Sequence, residues 1–338
     1  MHSGNKAGKG EGVAPIAARW CAATMSFALI FPGQGSQKPG MGRALADAEP
    51  VAAEVFSEID EALGESLSEI LWEGSAEDLT MTRVAQPGLM AVSLASLRVL
   101  ISRLGSLPQS VQFFAGHSLG EYSALAAANS IDLASTARLL RRRAEAMQRA
   151  VLPGEGAMAA IIGLDASLLA SLTDQAGEGE ICQIANDNGG GQIVISGHKR
   201  AVERAMSLAK ENGAKRTILL PVSAPFHSVL MEPAAAEMKM AFADTEIAPP
   251  RIPVVANVSA RPHAGPDSIK ASLVAQITGT VRWRESILWL ADQGVDHFIE
   301  IGAGRVLTGL VKRIVPEARA VSAGTPDELD ALAAMLHE

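Results

Sequence analysis

Gly116-His117-Ser118-Leu119-Gly120 is the stretch whose residue types and spacing speak most directly of chemistry. An apolar run, Val111-Gln112-Phe113-Phe114-Ala115, leads into it, and an alanine-rich helical run, Glu121 to Ala128, follows. A serine with glycine at both second neighbours, set between a strand and a helix, has the pattern of a nucleophile elbow. A strand that reverses sharply into a helix strains the backbone of the central residue, and side chains two positions away on either side would collide. The turn lifts the Ser118 hydroxyl clear of the backbone at a helix N-terminus, where free N–H groups favour developing negative charge. Attack on a carbonyl is the chemistry such a turn serves. A Gly-Ser-Gly turn without chemistry has the same pentapeptide.

A serine nucleophile needs a base, and histidine is the usual one. His117 adjoins Ser118 and at an elbow should point elsewhere. His198 begins a helix after a turn, His263 sits in a Pro/Gly loop, His297 opens a buried-looking strand, and His2 and His337 are terminal. His227 remains, in the small-residue loop Pro221-Val222-Ser223-Ala224-Pro225-Phe226-His227-Ser228. By position it is the best base, although a structural loop histidine fits the same residues. A basic cluster, Arg138 with Arg141-Arg142-Arg143, interrupts an acidic background. Surface pairing accounts for such arginines, Arg141 and Arg142 above all. Arg143 facing inward would instead fork onto a substrate carboxylate, a charge-assisted contact of about 1.5–3 kcal/mol. Gly302-Ala303-Gly304 invites a dinucleotide reading, but Leu307 stands where the third glycine is needed, so a tight strand–helix turn is expected there.

The elements that must position these groups follow from pattern. Phe27–Phe31 is a short apolar strand ending in Pro32-Gly33-Gln34-Gly35-Ser36-Gln37, a glycine-rich loop at a strand's carboxyl end, where open α/β sheets bind ligands. Helices are predicted at Val51–Leu63, from Pro87 to about Arg103 with Pro87 in the first turn, and from an Asp132 cap through Arg143 to Ala150. After Pro153-Gly154-Glu155-Gly156 the texture changes. Strands at Ala157–Gly163, Ile181–Ala185, Gln192–Ser196 and Arg216–Leu220, with helices at Ala166–Ala176 and Lys199–Asn212, give the β-α-β-β-α-β order of a ferredoxin-like unit. Val254–Asn257, Trp283–Gln293, His297–Ile301 and Arg305–Ile314 then return to strand–helix alternation, hence a largely parallel sheet. The expected class is α/β: a large α/β-hydrolase-like subdomain over 25–153 and 221–338, a small ferredoxin-like subdomain over 154–220, and a disordered leader or extension over 1–24.

Composition narrows the partners. The 338 residues are 48% hydrophobic, enough for a sizeable core, and the net charge of −8 disfavours nucleic acid or an anionic membrane surface. Two cysteines, Cys21 and Cys182, cannot build a disulfide framework or a cysteine-based metal site. No apolar run in the sequence reads as a bilayer span.

Taken together the motifs resemble a known family. Gly33-Gln34-Gly35-Ser36-Gln37, Gly116-His117-Ser118-Leu119-Gly120, Arg143 with Met147-Gln148, Ala185-Asn186, Gln192-Ile193-Val194-Ile195-Ser196-Gly197, Pro225-Phe226-His227-Ser228 and Glu300-Ile301-Gly302 occur in the order seen in malonyl-CoA:acyl carrier protein transacylases. The resemblance runs from about Phe27 to Leu310. It implies ping-pong transfer of a malonyl group from malonyl-CoA through Ser118 to the phosphopantetheine thiol of acyl carrier protein, in fatty-acid biosynthesis, with His227 as base. It further implies an oxyanion hole from the N–H groups of Gln34 and Leu119, a carboxylate anchor in Arg143, and Gln276 beside the histidine, orienting it through a backbone carbonyl. His117, Asn186, Phe226 and Gln276 are expected to line the substrate site, with Phe226 and Leu119 matching malonyl rather than methylmalonyl units. No cofactor and no metal are expected, and the enzyme is read as a cytoplasmic monomer. Two rivals remain at this level. A thioesterase or lipase-like serine hydrolase would use the same elbow with water as acceptor, and a non-catalytic acyl-carrier docking protein would need no elbow at all.

Overall fold

In the computed structural model, residues 25–222 and 224–337 are described; the expected leader over 1–24 lies outside them. In chain order the elements are β1 (Phe27–Phe31), α1 (Arg43–Ala48), α2 (Pro50–Leu63), α3 (Leu67–Glu73), α4 (Ala76–Thr80), α5 (Thr82–Leu104), β2 (Val111–Gly116), α6 (Leu119–Ala127) and α7 (Leu133–Arg149). Then come β3 (Gly156–Ile162), α8 (Ala166–Gly177), β4 (Cys182–Asp187), β5 (Gln192–His198), α9 (Lys199–Glu211) and β6 (Arg216–Leu219). The chain closes with α10 (Glu232–Ala243), β7 (Val254–Ala256), β8 (Arg261–Pro262), α11 (Pro266–Thr278), α12 (Trp283–Asp292), β9 (His297–Ile301), α13 (Val306–Ile314), β10 (Arg319–Ala323) and α14 (Pro326–His337).

Two sheets divide these strands. The larger has the order β10-β9-β1-β2-β7-β8 and is parallel except for the short edge strand β8. β1 lies inside it between β9 and β2, and all five of its residues are buried. That explains its unbroken Phe-Ala-Leu-Ile-Phe sequence, since a parallel strand is covered by helices on both faces. The smaller sheet, β4-β5-β3-β6, is antiparallel throughout. Its strands alternate: Ala157, Ala159, Ile161, Ile193 and Ile195 pack under α8 and α9, whereas Met158, Ala160 and Val194 turn to the opposite face and join the large core. Period-two alternation thus gives this sheet one face for its own core and one for a cleft. The small sheet is tied to the α11–α12 connection through β4, whose Asp187 N–H donates to Val281 O at 3.0 Å while Val281 N–H donates to Ala185 O at 2.8 Å.

The structure revises two expectations. α5 begins at Thr82, so Pro87 lies inside the helix rather than at its start. Proline removes the bond to the carbonyl four residues back, and here the Arg83 carbonyl accepts instead from Arg141 Nε at 3.0 Å. α5 is also long and apolar enough to cross a membrane, against the reading of the sequence, yet 89% of its most apolar window is buried inside this fold. It is the central core helix. Elements at α1, α3, α4, α11 and α14 carried too little periodic signal to be named from sequence.

Candidate active site

The elbow is built as the glycines require. Ser118 sits at φ 53° and ψ −111°, a left-handed conformation that side-chain-bearing residues rarely adopt. A Cβ on Gly116 would lie 1.9 Å from the Gly120 carbonyl, and one on Gly120 would lie 2.2 Å from Phe31 O. Neither position accepts any side chain. Three hydrogen bonds hold the turn: Ser118 N–H to Asn257 Oδ1 at 2.8 Å, Asn257 Nδ2 to Gly116 O at 2.7 Å, and His117 N–H to Phe31 O at 3.1 Å.

Ser118 Oγ lies 2.8 Å from His227 Nε2, and His227 Nδ1 lies 2.8 Å from the backbone oxygen of Gln276. A carbonyl can only accept, so Nδ1 carries the proton and Nε2 is left as the acceptor facing the serine. Burial, reinforced by the nearby Arg143 cation, pushes the His227 pKa down to about 3, so the ring is neutral at physiological pH. The third position of a triad is thus held by a backbone carbonyl, not by a carboxylate. His227 itself has a left-handed backbone (φ 57°), and Gln183 from β4 donates to its carbonyl at 3.4 Å.

Arg143 is 1% exposed on the inner face of α7. Its guanidinium donates to Gln86 Oε1 at 2.8 Å, Gln276 Oε1 at 2.9 Å and Ser118 Oγ at 3.2 Å, and its Cζ stands 5.5 Å from the centre of the Tyr122 ring. Among the described residues it forms no salt bridge. Its neighbours Arg141 and Arg142 do, with Glu65 and Glu237. Burial holds the Arg143 pKa below its ordinary value, opposed by Tyr122 and Glu121.

A cavity of ≈ 380 Å³ opens above the dyad, with Gln34, His117, Ser118, Leu119, Arg143, Asn186, Phe226 and His227 in its walls. The N–H of Leu119, first in its helix, has no intrahelical acceptor, and the Gln34 loop faces the same space. The Ser118 N–H is already taken by Asn257. His117 points away from the nucleophile, its Nε2 2.8 Å from Asn188 Oδ1 and its ring edge-on to Trp283; burial lowers its pKa against that hydrogen bond. Gln276, expected at the substrate, is fully buried behind the cavity wall. Its amide is consumed by Arg143, Ser118 O, Glu121 and Asn257, so it braces the site from behind instead of touching what the cavity holds. Three other histidines are engaged elsewhere: His198 accepts from Ile181 N–H, His297 pairs with Asp296, and His263 is buried against Glu121. Gln86, Asn257, Glu121 and Asn188 had no local pattern to announce them; each is brought to the site by chain folding alone.

A nucleophile elbow on a mostly parallel sheet, a neutral histidine at hydrogen-bond distance and a cavity shared with a second, antiparallel sheet define a serine-dependent acyl-transfer enzyme. The chain belongs to the acyl transferase domain family, whose profile matches residues 28–332. It is 47% identical to a malonyl CoA-acyl carrier protein transacylase of Bacillus subtilis (strain 168), over 90% of this chain and 95% of that one. Among solved structures, an acyl-carrier-protein-S-malonyltransferase from Bartonella henselae superposes with a TM-score of 0.90 at 52% identity, covering 93% of this chain and 100% of that one. A malonyl-transacylase solved in complex with its type II PKS acyl-carrier protein superposes with a TM-score of 0.89 at 42% identity, covering 92% and 99%.

Proposed function

We propose that this enzyme moves the malonyl group of malonyl-CoA to the phosphopantetheine thiol of an acyl carrier protein, with residues 25–153 and 221–338 as catalytic unit and 154–220 as an inserted wall. The observation that carries the reading is Arg143. A buried cation bonded among the described residues only to neutral oxygens, 3.2 Å from the nucleophile, is a site prepared for a substrate's carboxylate.

The steps balance on the residues described. Ser118 Oγ attacks the thioester carbonyl while His227 Nε2 takes its proton. The tetrahedral oxyanion is met by the N–H groups of Gln34 and Leu119, each such donor contributing about 10²–10³ in rate. Collapse breaks the C–S bond, the departing thiolate takes the proton from His227, and a malonyl ester remains on Ser118. The carrier thiol then gives its proton to His227 and attacks the ester, and the proton returns to Ser118 as the alkoxide leaves. No group beyond these side chains and the two thiol carriers enters. We further propose a monomer as the active form.

Incubation with malonyl-CoA followed by intact-protein mass spectrometry should show one malonyl group, located on Ser118 and absent from Ser118→Ala. No adduct, or an adduct retained by Ser118→Ala, removes the covalent mechanism. Steady release of free malonate without transfer to carrier protein would make the enzyme a hydrolase.

A further inference from the structure

Glu121 is fully buried one turn into α6, directly behind the dyad, and the mechanism above makes no use of it. Its Oε2 accepts from Gln276 Nε2 at 2.7 Å and from Asn257 N–H at 3.0 Å. Its Oε1 lies 3.0 Å from His263 Nε2, and both side chains have no solvent exposure. That contact is bent away from hydrogen-bond alignment, and neither atom has another partner among the described residues. Among the described residues no better-aligned partner answers either atom, in a buried interior where an unanswered carboxylate oxygen is expensive.

We propose that Glu121, held by His263, is the positioning residue that aims Arg143 at the substrate's carboxylate. The inference rests on the malonyl-transfer reading. The link is the side-chain amide of Gln276. Glu121 Oε2 already accepts from the fixed Asn257 N–H and meets Gln276 as an acceptor, so Gln276 turns its NH2 inward and its Oε1 outward, toward Arg143. Reversed, the amide would set NH2 against guanidinium, and Arg143 would lose one of the bonds that define its place. Glu121 thus takes a part in the acyl-transfer site that a triad acid would take beside the histidine. Here the acid acts one step further out, on the arginine through Gln276, and on the elbow through Asn257, whose Oδ1 holds the Ser118 N–H.

Comparing two acyl donors separates this role from a merely structural one. Acetyl-CoA brings no carboxylate to Arg143, so a loosened fold or elbow slows acylation by both donors alike, whereas a misplaced guanidinium penalises malonyl-CoA alone. In Glu121→Gln the carboxylate gives way to an amide that can set its own NH2 against Gln276, and in His263→Leu the polar group beside Oε1 is gone. Both should lower the malonyl-to-acetyl ratio of kcat/KM by about fivefold or more, through a raised KM for malonyl-CoA. His263→Gln, whose amide can still face Oε1, should return the ratio to within roughly twofold of the parent. Equal losses with both donors, an unchanged ratio in folded Glu121→Gln, or a lowered KM for malonyl-CoA would each overturn the proposal. If His263→Leu does not fold, Glu121→Gln decides alone. Failure of the parent protein to form a malonyl-serine adduct is a separate result and refutes the underlying function instead.

Discussion

The two sheets meet one cavity with different kinds of residue. From the parallel sheet and its connections come Ser118, Leu119, Gln34 and Arg143, polar groups or free N–H donors at strand ends and helix starts. From the antiparallel sheet come Met158, Ala160 and Val194, with the amides Asn186, Asn188 and Gln192. The first set is cross-braced: the serine, the histidine and the arginine are all tied, directly or through one residue, to Gln276. The second set presents the outward face of a sheet whose other face is occupied by α8 and α9. Bond-making needs donors fixed to fractions of an ångström, and parallel strands ending together beside helix N-termini supply that. A wall needs shape alone, and the free face of a small sheet can change shape without disturbing the chemistry. His227 joins the two, with its base geometry set by α11 and its backbone pinned by Gln183 of β4.

Substitutions on each side should expose this division. Removing the base from the braced side with His227→Ala should slow acylation by both malonyl-CoA and acetyl-CoA by about 10²–10⁴, read in single-turnover assays. Equal activity would hand the base role to another group. Arg143→Ala should change preference more than chemistry, reducing malonyl relative to acetyl transfer by roughly 10–150-fold, the equivalent of about 1.5–3 kcal/mol. A preserved preference would detach Arg143 from the substrate. On the wall side, Met158→Ala enlarges the cavity from the antiparallel sheet. Its effect should be confined to bulkier acyl groups, admitting a methyl-branched malonyl donor by no more than about tenfold better while malonyl kcat stays near parental. A large fall in malonyl kcat would show that the wall takes part in the chemistry after all.

The smallest expected change is none. With the His227 pKa near 3, the base is neutral throughout pH 5–7, so kcat/KM for malonyl-CoA should stay flat across that window. An acid limb centred near pH 6.5 would show the histidine less desolvated than its surroundings imply. Stability should respond differently. Below pH 6.5 the unfolded chain protonates this histidine and the folded one does not, so acidification from 6.5 toward 3 favours unfolding. Thermal unfolding should therefore occur at lower temperature at pH 5 than at pH 7, with a smaller difference in His227→Ala.

Much of the frame was legible in the residues. Glycines at 116 and 120 announce the elbow because only an absent side chain fits there. Asp132 announces α7, and its carboxylate does accept from Ser135 N–H at 2.7 Å. The β-α-β-β-α-β order and the unbroken apolar β1 follow from periodicity and burial, which are local properties of a chain. Pro87 misled because the carbonyl that it leaves unpaired finds its donor in Arg141, 58 residues away. The active site is likewise a set of long-range meetings. Ser118 and His227 are 109 residues apart, Arg143 and Gln276 133, and Ser118 and Asn257 139. Hydrogen bonds between such partners leave no periodic trace, since each side chain could serve many others. The sequence by itself determined that a serine would be held strained and exposed between a strand and a helix. Only the tertiary structure decided which histidine would face it, that Gln276 would stand behind the cavity wall, and that the buried Glu121 would meet Gln276 and Asn257 instead of the histidine. Backbone sterics act over a few residues, whereas polar pairing is settled where the folded chain leaves room for it.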